Sequence, residues 1–122
     1  MKSGIKSVWI LLFGLLPLFV FAQSEKNDKY ETVTLQVEGV CKMCKARIET
    51  ASYDVAGVKS VEWDLETEVL TAVINKKATR QKIADALAKI GHRSELAKAD
   101  PEAYAKLPAC CKYDSGVEKH GD

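Results

Sequence analysis

Two cysteines three residues apart, Cys41 and Cys44, sit in the stretch Gly39-Val40-Cys41-Lys42-Met43-Cys44-Lys45, and a doublet, Cys110-Cys111, lies near the other end of the chain. A pair at this spacing serves as a metal clamp, a redox couple or half of a disulfide framework. A bond between Cys110 and Cys111 would close a strained ring. A disulfide reading therefore joins Cys41 to Cys44, or joins one of them to the doublet. Soft thiolate pairs suit Cu(I), and also Zn(II) and its heavier congeners. A structural zinc site normally takes four ligands, and two cysteines supply half of one. An open two-thiolate site fits an ion that accepts few ligands and must later be handed on.

The first 22 of the 122 residues read as an export signal. Lys2 and Lys6 form a basic start, Val8 to Val20 is an apolar run, and Val20-Phe21-Ala22 places small residues at a cleavage site after Ala22. The run falls short of the roughly 20 residues of a spanning helix, so no stable membrane span is expected after cleavage. The expected location is exported, periplasmic. Residues 1–22 hold two of the 18 basic residues and none of the 17 acidic ones, which leaves a net charge of −1 on the remainder. That balance offers no electrostatic case for nucleic acid or an anionic membrane as a partner.

The elements that must position the cysteines follow from periodicity. After a polar leader, residues 23–30, Val33, Leu35 and Val37 alternate with Thr32, Thr34 and Gln36 as a strand, which Gly39 ends. Cys44, Ile48 and Ala51 then fall four and three apart, the inner stripe of a helix reaching about Tyr53. Val61, Trp63 and Leu65 alternate again, and a polar connection leads to Val69–Ile74, predicting a hairpin. Thr79 is an N-cap for a second helix striped by Ile83, Leu87 and Ile90, and Gly91 stands where a glycine stops it. A weakly patterned last strand is expected from His92 to Ala97. Asp100-Pro101 caps one further helical turn that Pro108 ends.

The order strand, helix, strand, strand, helix, strand predicts an α+β, ferredoxin-like βαββαβ sandwich, with a four-stranded antiparallel sheet and two helices on one face. Cys41 then lies in the loop before the first helix and Cys44 in its first turn. The unpaired amides and positive dipole end there favour thiolate over thiol, with Lys42, Lys45 and Arg47 adding charge nearby.

From about Thr32 to Lys98 the chain resembles the heavy-metal-associated domain family, which includes copper chaperones, metal-binding domains of metal-pumping ATPases and periplasmic mercury-binding proteins. The matching residues are Val37 through Cys44, Ile48-Glu49, Gly57 to Val61, and Ile83 to Gly91. The resemblance implies a domain over residues 31–98, followed by an extension over 99–122 that carries the Cys-Cys pair. It also implies metal held by Cys41 and Cys44. The cargo expected is a soft ion, Cu(I) first, with Zn(II) or Hg(II) as alternatives, and the expected partner is a metal-transporting ATPase or efflux component. The family usually has Met where this chain has Gly39 and Thr where it has Val40. His92 falls in the loop that faces the metal in this family, as a third ligand, a tuning group or an exposed helix-end histidine.

Cys110 and Cys111 lie beyond the resemblance. They read as accessory metal ligands folding back on the site, as a disulfide staple, or as a link between two molecules; His120 is a further candidate beside them. The group Glu62, Asp64, Glu66 and Glu68 reads as a solvated hairpin edge. No Ser-His-Asp set, phosphate loop or H-E-x-x-H helix is present. The function expected is non-enzymatic metal buffering or transfer, and the enzyme alternative is a thiol–disulfide oxidoreductase using the same Cys41-Cys44 pair.

Overall fold

The computed structural model describes residues 29–116. The expected export segment and His120 lie outside these residues. Strand β1 (Glu31–Gln36) is followed by helix α1 (Lys42–Tyr53), strands β2 (Val58–Trp63) and β3 (Val69–Ile74), and helix α2 (Arg80–Lys89). A short helix α3 (Pro101–Ala105) and two 3-10 turns, Ala109–Cys111 and Tyr113–Ser115, complete the described chain.

The sheet is antiparallel in the order β1-β3-β2, with Leu35 and Trp63 both facing Leu70 across the ladders. Period-two alternation puts Leu35, Leu70, Ala72, Ile74 and Trp63 on the buried face and Thr34, Thr71 and Glu62 on the wet one. Helix α1 packs on β2, α2 on β1, and the two helices pack on each other. Cys44 and Ile48 of α1 and Ile83, Ala84 and Leu87 of α2 supply the helical half of this core. The hairpin loop is held by Asp64, whose Oδ1 accepts from the Glu66 and Thr67 amides at 2.8 and 2.9 Å. One member of the acidic group is thus a loop fastener.

Both expected caps are formed. Thr79 Oγ1 accepts from Lys82 N at 3.1 Å, and Asp100 Oδ1 accepts from the amides of Glu102 and Ala103. Gly91 closes α2 at φ +95°, in the left-handed region that glycine enters without penalty. A Cβ there would also stand 2.8 Å from the Tyr104 amide nitrogen, because α3 is seated directly on this turn.

The expected four-stranded sheet is corrected to three strands. Where a strand was expected from His92 to Ala97, there is a single bridge between Val37 and Ser94. It is flanked by Glu38 N donating to Arg93 O at 2.9 Å and Glu95 N donating to Gln36 O at 3.1 Å. The ladder stops because Ser94 turns back on Ala97, its amide donating to the Ala97 carbonyl at 3.0 Å. The segment Arg93-Ser94-Glu95 has no alternating apolar side chains to bury, so nothing extends the pairing.

Candidate metal centre

The chain leaves β1 through Val37, whose amide donates to Glu68 O at 2.9 Å, and reaches α1 by way of Gly39 and Val40, both buried. Cys41 takes the N-cap position in extended conformation (φ −153°, ψ 172°), and its carbonyl accepts from Lys45 N at 3.1 Å to start the helix. Its side chain is thereby set over the first turn of α1, where Cys44 projects from the inner face.

The Sγ atoms of Cys41 and Cys44 are 3.5 Å apart, and a third sulfur joins them: Cys111 Sγ lies 3.6 Å from Cys41 Sγ. All three lie within 4.8 Å of one another and all three residues are buried. Three thiolates about 2.3 Å from a common ion stand about 4 Å apart, so small side-chain movements suffice to close around a thiophilic cation. All four cysteines are free thiols in the structure.

The three thiols are electrostatically unequal. Burial raises the Cys41 thiol, but the Cys44 amide, the thiols of Cys44 and Cys111 and the Met43 amide more than offset it, so its pKa lies below the ordinary 9.0. Cys41 ionises first, and its two neighbours share protons with it. Burial pushes Cys44 above the usual range and Cys111 well above it, the latter also because it faces the other two sulfurs. The expected preference for thiolate at the helix start therefore holds at Cys41 and is overridden by burial at Cys44. Lys45 is engaged elsewhere: its Nζ donates to Trp63 O at 2.8 Å and pairs with Glu49 at 2.9 Å.

Cys111 is brought in by a strap running back from α3. Leu107 is buried in the core, the turn Ala109–Cys111 packs against α1, and Tyr113 anchors the far side. The Tyr113 hydroxyl donates to Gly91 O at 2.8 Å and accepts from Arg93 N at 3.0 Å. Its ring stacks on His92 (centroids 5.8 Å) and meets Tyr104 edge-on at 5.0 Å. Arg93 pairs with Glu38 and, at 2.8 Å, with Asp114, tying the connection between β1 and α1, the segment after α2 and the strap together at the surface. The doublet therefore splits: Cys111 points inward, while the half-buried Cys110 donates its thiol to Met43 Sδ at 3.9 Å.

His92 is fully buried rather than exposed, and lies outside the group of sulfurs. Its Nδ1 faces Glu38 O at 2.9 Å, so Nδ1–H donates to the carbonyl, and no described protein group partners Nε2. Burial lowers its pKa, with Arg47 adding to the effect, so the ring stays neutral. It serves as the platform on which Tyr113 stacks.

Sequence patterning does not reveal two supports of the site. Tyr113 stands at the start of a polar tail, and only its position two residues after Cys111 hints at a further role. Trp63 is legible as a core residue but not as a support of the loop that leads to Cys41: its indole lies against Gly39, and Nε1 donates to Val37 O at 3.0 Å. Replacing Tyr113 by alanine should free the strap while leaving the CxxC helix folded. The Cys111 thiol should then react with a thiol reagent many times faster, with Cys41 and Cys44 changed far less, as mass-resolved alkylation would show. Parallel acceleration of all three would mean that the strap is no separate unit.

The α+β sandwich thus gathers three buried thiols at a strand-to-helix junction, a donor set that suits a soft metal ion. Among solved structures the chain is similar to oxidised MerP from Ralstonia metallidurans CH34, at 32% identity over 54% of this chain and 94% of that one, with a TM-score of 0.51. It is also similar to the CopZ metallochaperone, at 27% identity over 52% of this chain and 98% of that one, TM-score 0.51. A third likeness is to the N-terminal domain of a potential copper-translocating P-type ATPase from Bacillus subtilis in its Cu(I)-loaded state, at 26% identity over 59% and 92%, TM-score 0.51. The chain belongs to the heavy-metal-associated domain family. No protein-family model matches it, and no curated protein does.

Proposed function

We propose that this protein is an exported carrier or buffer for a soft metal ion, with Cu(I) as the preferred cargo, and that Cys41, Cys44 and Cys111 hold the ion. The observation that carries the reading is the convergence of three buried sulfurs within 4.8 Å at the start of α1. Thiolates select soft ions, and three of them satisfy Cu(I) without the fourth ligand that structural zinc normally takes. The basic, apolar and small-residue succession of residues 1–22 supports export. A metal-transporting ATPase or efflux component is the proposed recipient, in keeping with the likeness to the N-terminal domain of a potential copper-translocating pump.

Native mass spectrometry of the reduced protein offered Cu(I), Zn(II) and Hg(II) in competition tests the cargo. One tightly held soft ion per chain is expected, and its loss in Cys41→Ser/Cys44→Ser. Undiminished binding in that variant would sink the proposal. Insulin reduction with turnover and no metal uptake would favour the oxidoreductase instead.

Proton linkage gives the pH dependence. Cys44 and Cys111 have pKa values raised above 9.0, so both are protonated at pH 7 and each must release a proton to become a ligand. Affinity therefore rises with pH, about tenfold per unit for each proton displaced, and falls by the same factor on acidification. Competition titrations between pH 6 and pH 8 should give a slope of at least about two protons per ion. A flat profile would exclude these thiols as ligands.

A further inference from the structure

The three buried sulfurs leave a fourth unused, and it does not stand alone. Met43 is 49% exposed and belongs to the first turn of α1, between Cys41 and Cys44 in sequence. Cys110 Sγ lies 3.9 Å from Met43 Sδ across the junction between α1 and the strap. A thioether and a thiol facing each other at the surface form a soft donor pair of the kind that selects Cu(I) over harder ions. The buried sulfurs, by contrast, offer almost no surface to an arriving ion: Cys41 is 7% exposed, and Cys44 and Cys111 are 0% exposed.

We propose that Met43 Sδ and Cys110 Sγ form a second, outer binding site for a monovalent soft cation, Cu(I) or Ag(I), on which the ion lands before it enters the buried cluster. Met43 precedes Cys44 and Cys110 precedes Cys111, so an ion held by the outer pair is one residue away from two of the three inner ligands. Binding breaks the Cys110 S–H bond, releases its proton to solvent and forms a metal–thiolate bond, with the thioether as the second donor. On transfer inward a cluster thiol loses its proton as it takes the ion, and Cys110 regains one. The ion's oxidation state is unchanged throughout. The pair is held ready by the strap, which places Cys110 over α1 while Cys111 seals the interior.

This site rests on the carrier reading for its purpose, but its test separates the two. The ε-methyl of Met43 is one of only two methionine methyl signals the chain can give. The reduced full chain is titrated with Ag(I), which is inert to redox change, with native mass spectrometry in parallel. The first equivalent should enter the cluster, and the second should move the Met43 methyl signal. Cys110→Ser and Met43→Leu should each lose the second equivalent while keeping the first. Both positions are at least partly exposed and neither substitution changes volume much, so the fold is retained. Met43→Leu should also slow uptake of the first equivalent without altering its final affinity. A Met43 methyl signal that stays in place through two equivalents, or an uptake rate untouched by Met43→Leu, overturns the outer site. A chain that takes nothing into the cluster but still shifts the Met43 methyl refutes the carrier reading and leaves the outer binding pair standing.

Discussion

Replacing Cys111 by serine should weaken soft-metal binding more than about 100-fold, since even partners that touch only a ligand are typically worth 10–100-fold. It should also remove one of the protons released on binding. The second result is the more telling. Burial holds the Cys111 thiol well above its ordinary pKa, so it enters at neutral pH with its proton on, and only a residue that becomes a ligand has to shed it. If Cys111 were merely a packed core residue, serine would lower stability and leave the proton count alone. A buried hydroxyl without a partner costs about 1–3 kcal/mol, so thermal melting must accompany the binding data. Cys111→Ala, which introduces no polar group, separates the two contributions. Cys110→Ser is the control and should leave the buried site's affinity unchanged. X-ray absorption of the Cu(I) form should report three sulfur neighbours in the parent and two in Cys111→Ser. Equal sulfur counts, with equal proton release, would remove Cys111 from the ligand set.

What made Cys41 and Cys44 legible is local. An N-cap position followed three residues later by an inward-facing helix residue is fixed by helix geometry alone, and the stripe of Cys44, Ile48 and Ala51 announced that helix. Thr79, Asp100 and Gly91 were legible for the same reason, each acting on backbone groups within a few residues of itself. Cys111 is the opposite case. It lies 70 residues from Cys41, and its approach depends on Leu107, Tyr113, His92 and Arg93 meeting across elements with no shared period. The doublet could be suspected as accessory ligands, but its division into an inner and an outer thiol depends on the 3-10 turn that aims one away from the other. The missing fourth strand has a similar cause. A segment with weak alternation is decided by its neighbours, and here the Ser94–Ala97 turn and the Glu95–Arg80 contact close it after one bridge. Gly39 was readable only as a departure from the family's usual methionine, and the indole beneath it supplies the reason.

Restoring methionine at that position, Gly39→Met, should therefore destabilise the protein and disturb its metal site together. A Cβ on Gly39 would stand 2.9 Å from both Cζ2 and Cη2 of Trp63 and 3.1 Å from Cys44 Cβ. Gly39 is not among the residues at positive φ, so the obstacle is space and not backbone conformation. The indole cannot swing aside, because it is fully buried and its Nε1 donates to Val37 O. Even Gly39→Ala should cost about 1–3 kcal/mol, the usual range for overpacking a dense core. Trp63→Ala should cost about 3–5 kcal/mol from the other direction, by opening a cavity and leaving the Val37 carbonyl without its donor. Combined, the two changes oppose each other: the introduced methionine side chain would enter the space that the indole vacates. Urea titration of Gly39→Met, Trp63→Ala and the double variant should show a total loss smaller than the sum of the single losses by about 0.5–3 kcal/mol. Additive losses would mean that Trp63 and the side chain introduced at Gly39 do not compete for the same volume. Metal affinity should track the same cycle, since displacing Cys44 Cβ opens the 3.5 Å approach of its sulfur to that of Cys41. In this chain the position two before the first cysteine is set by space: the buried indole of Trp63 occupies the volume that a methionine side chain on residue 39 would need.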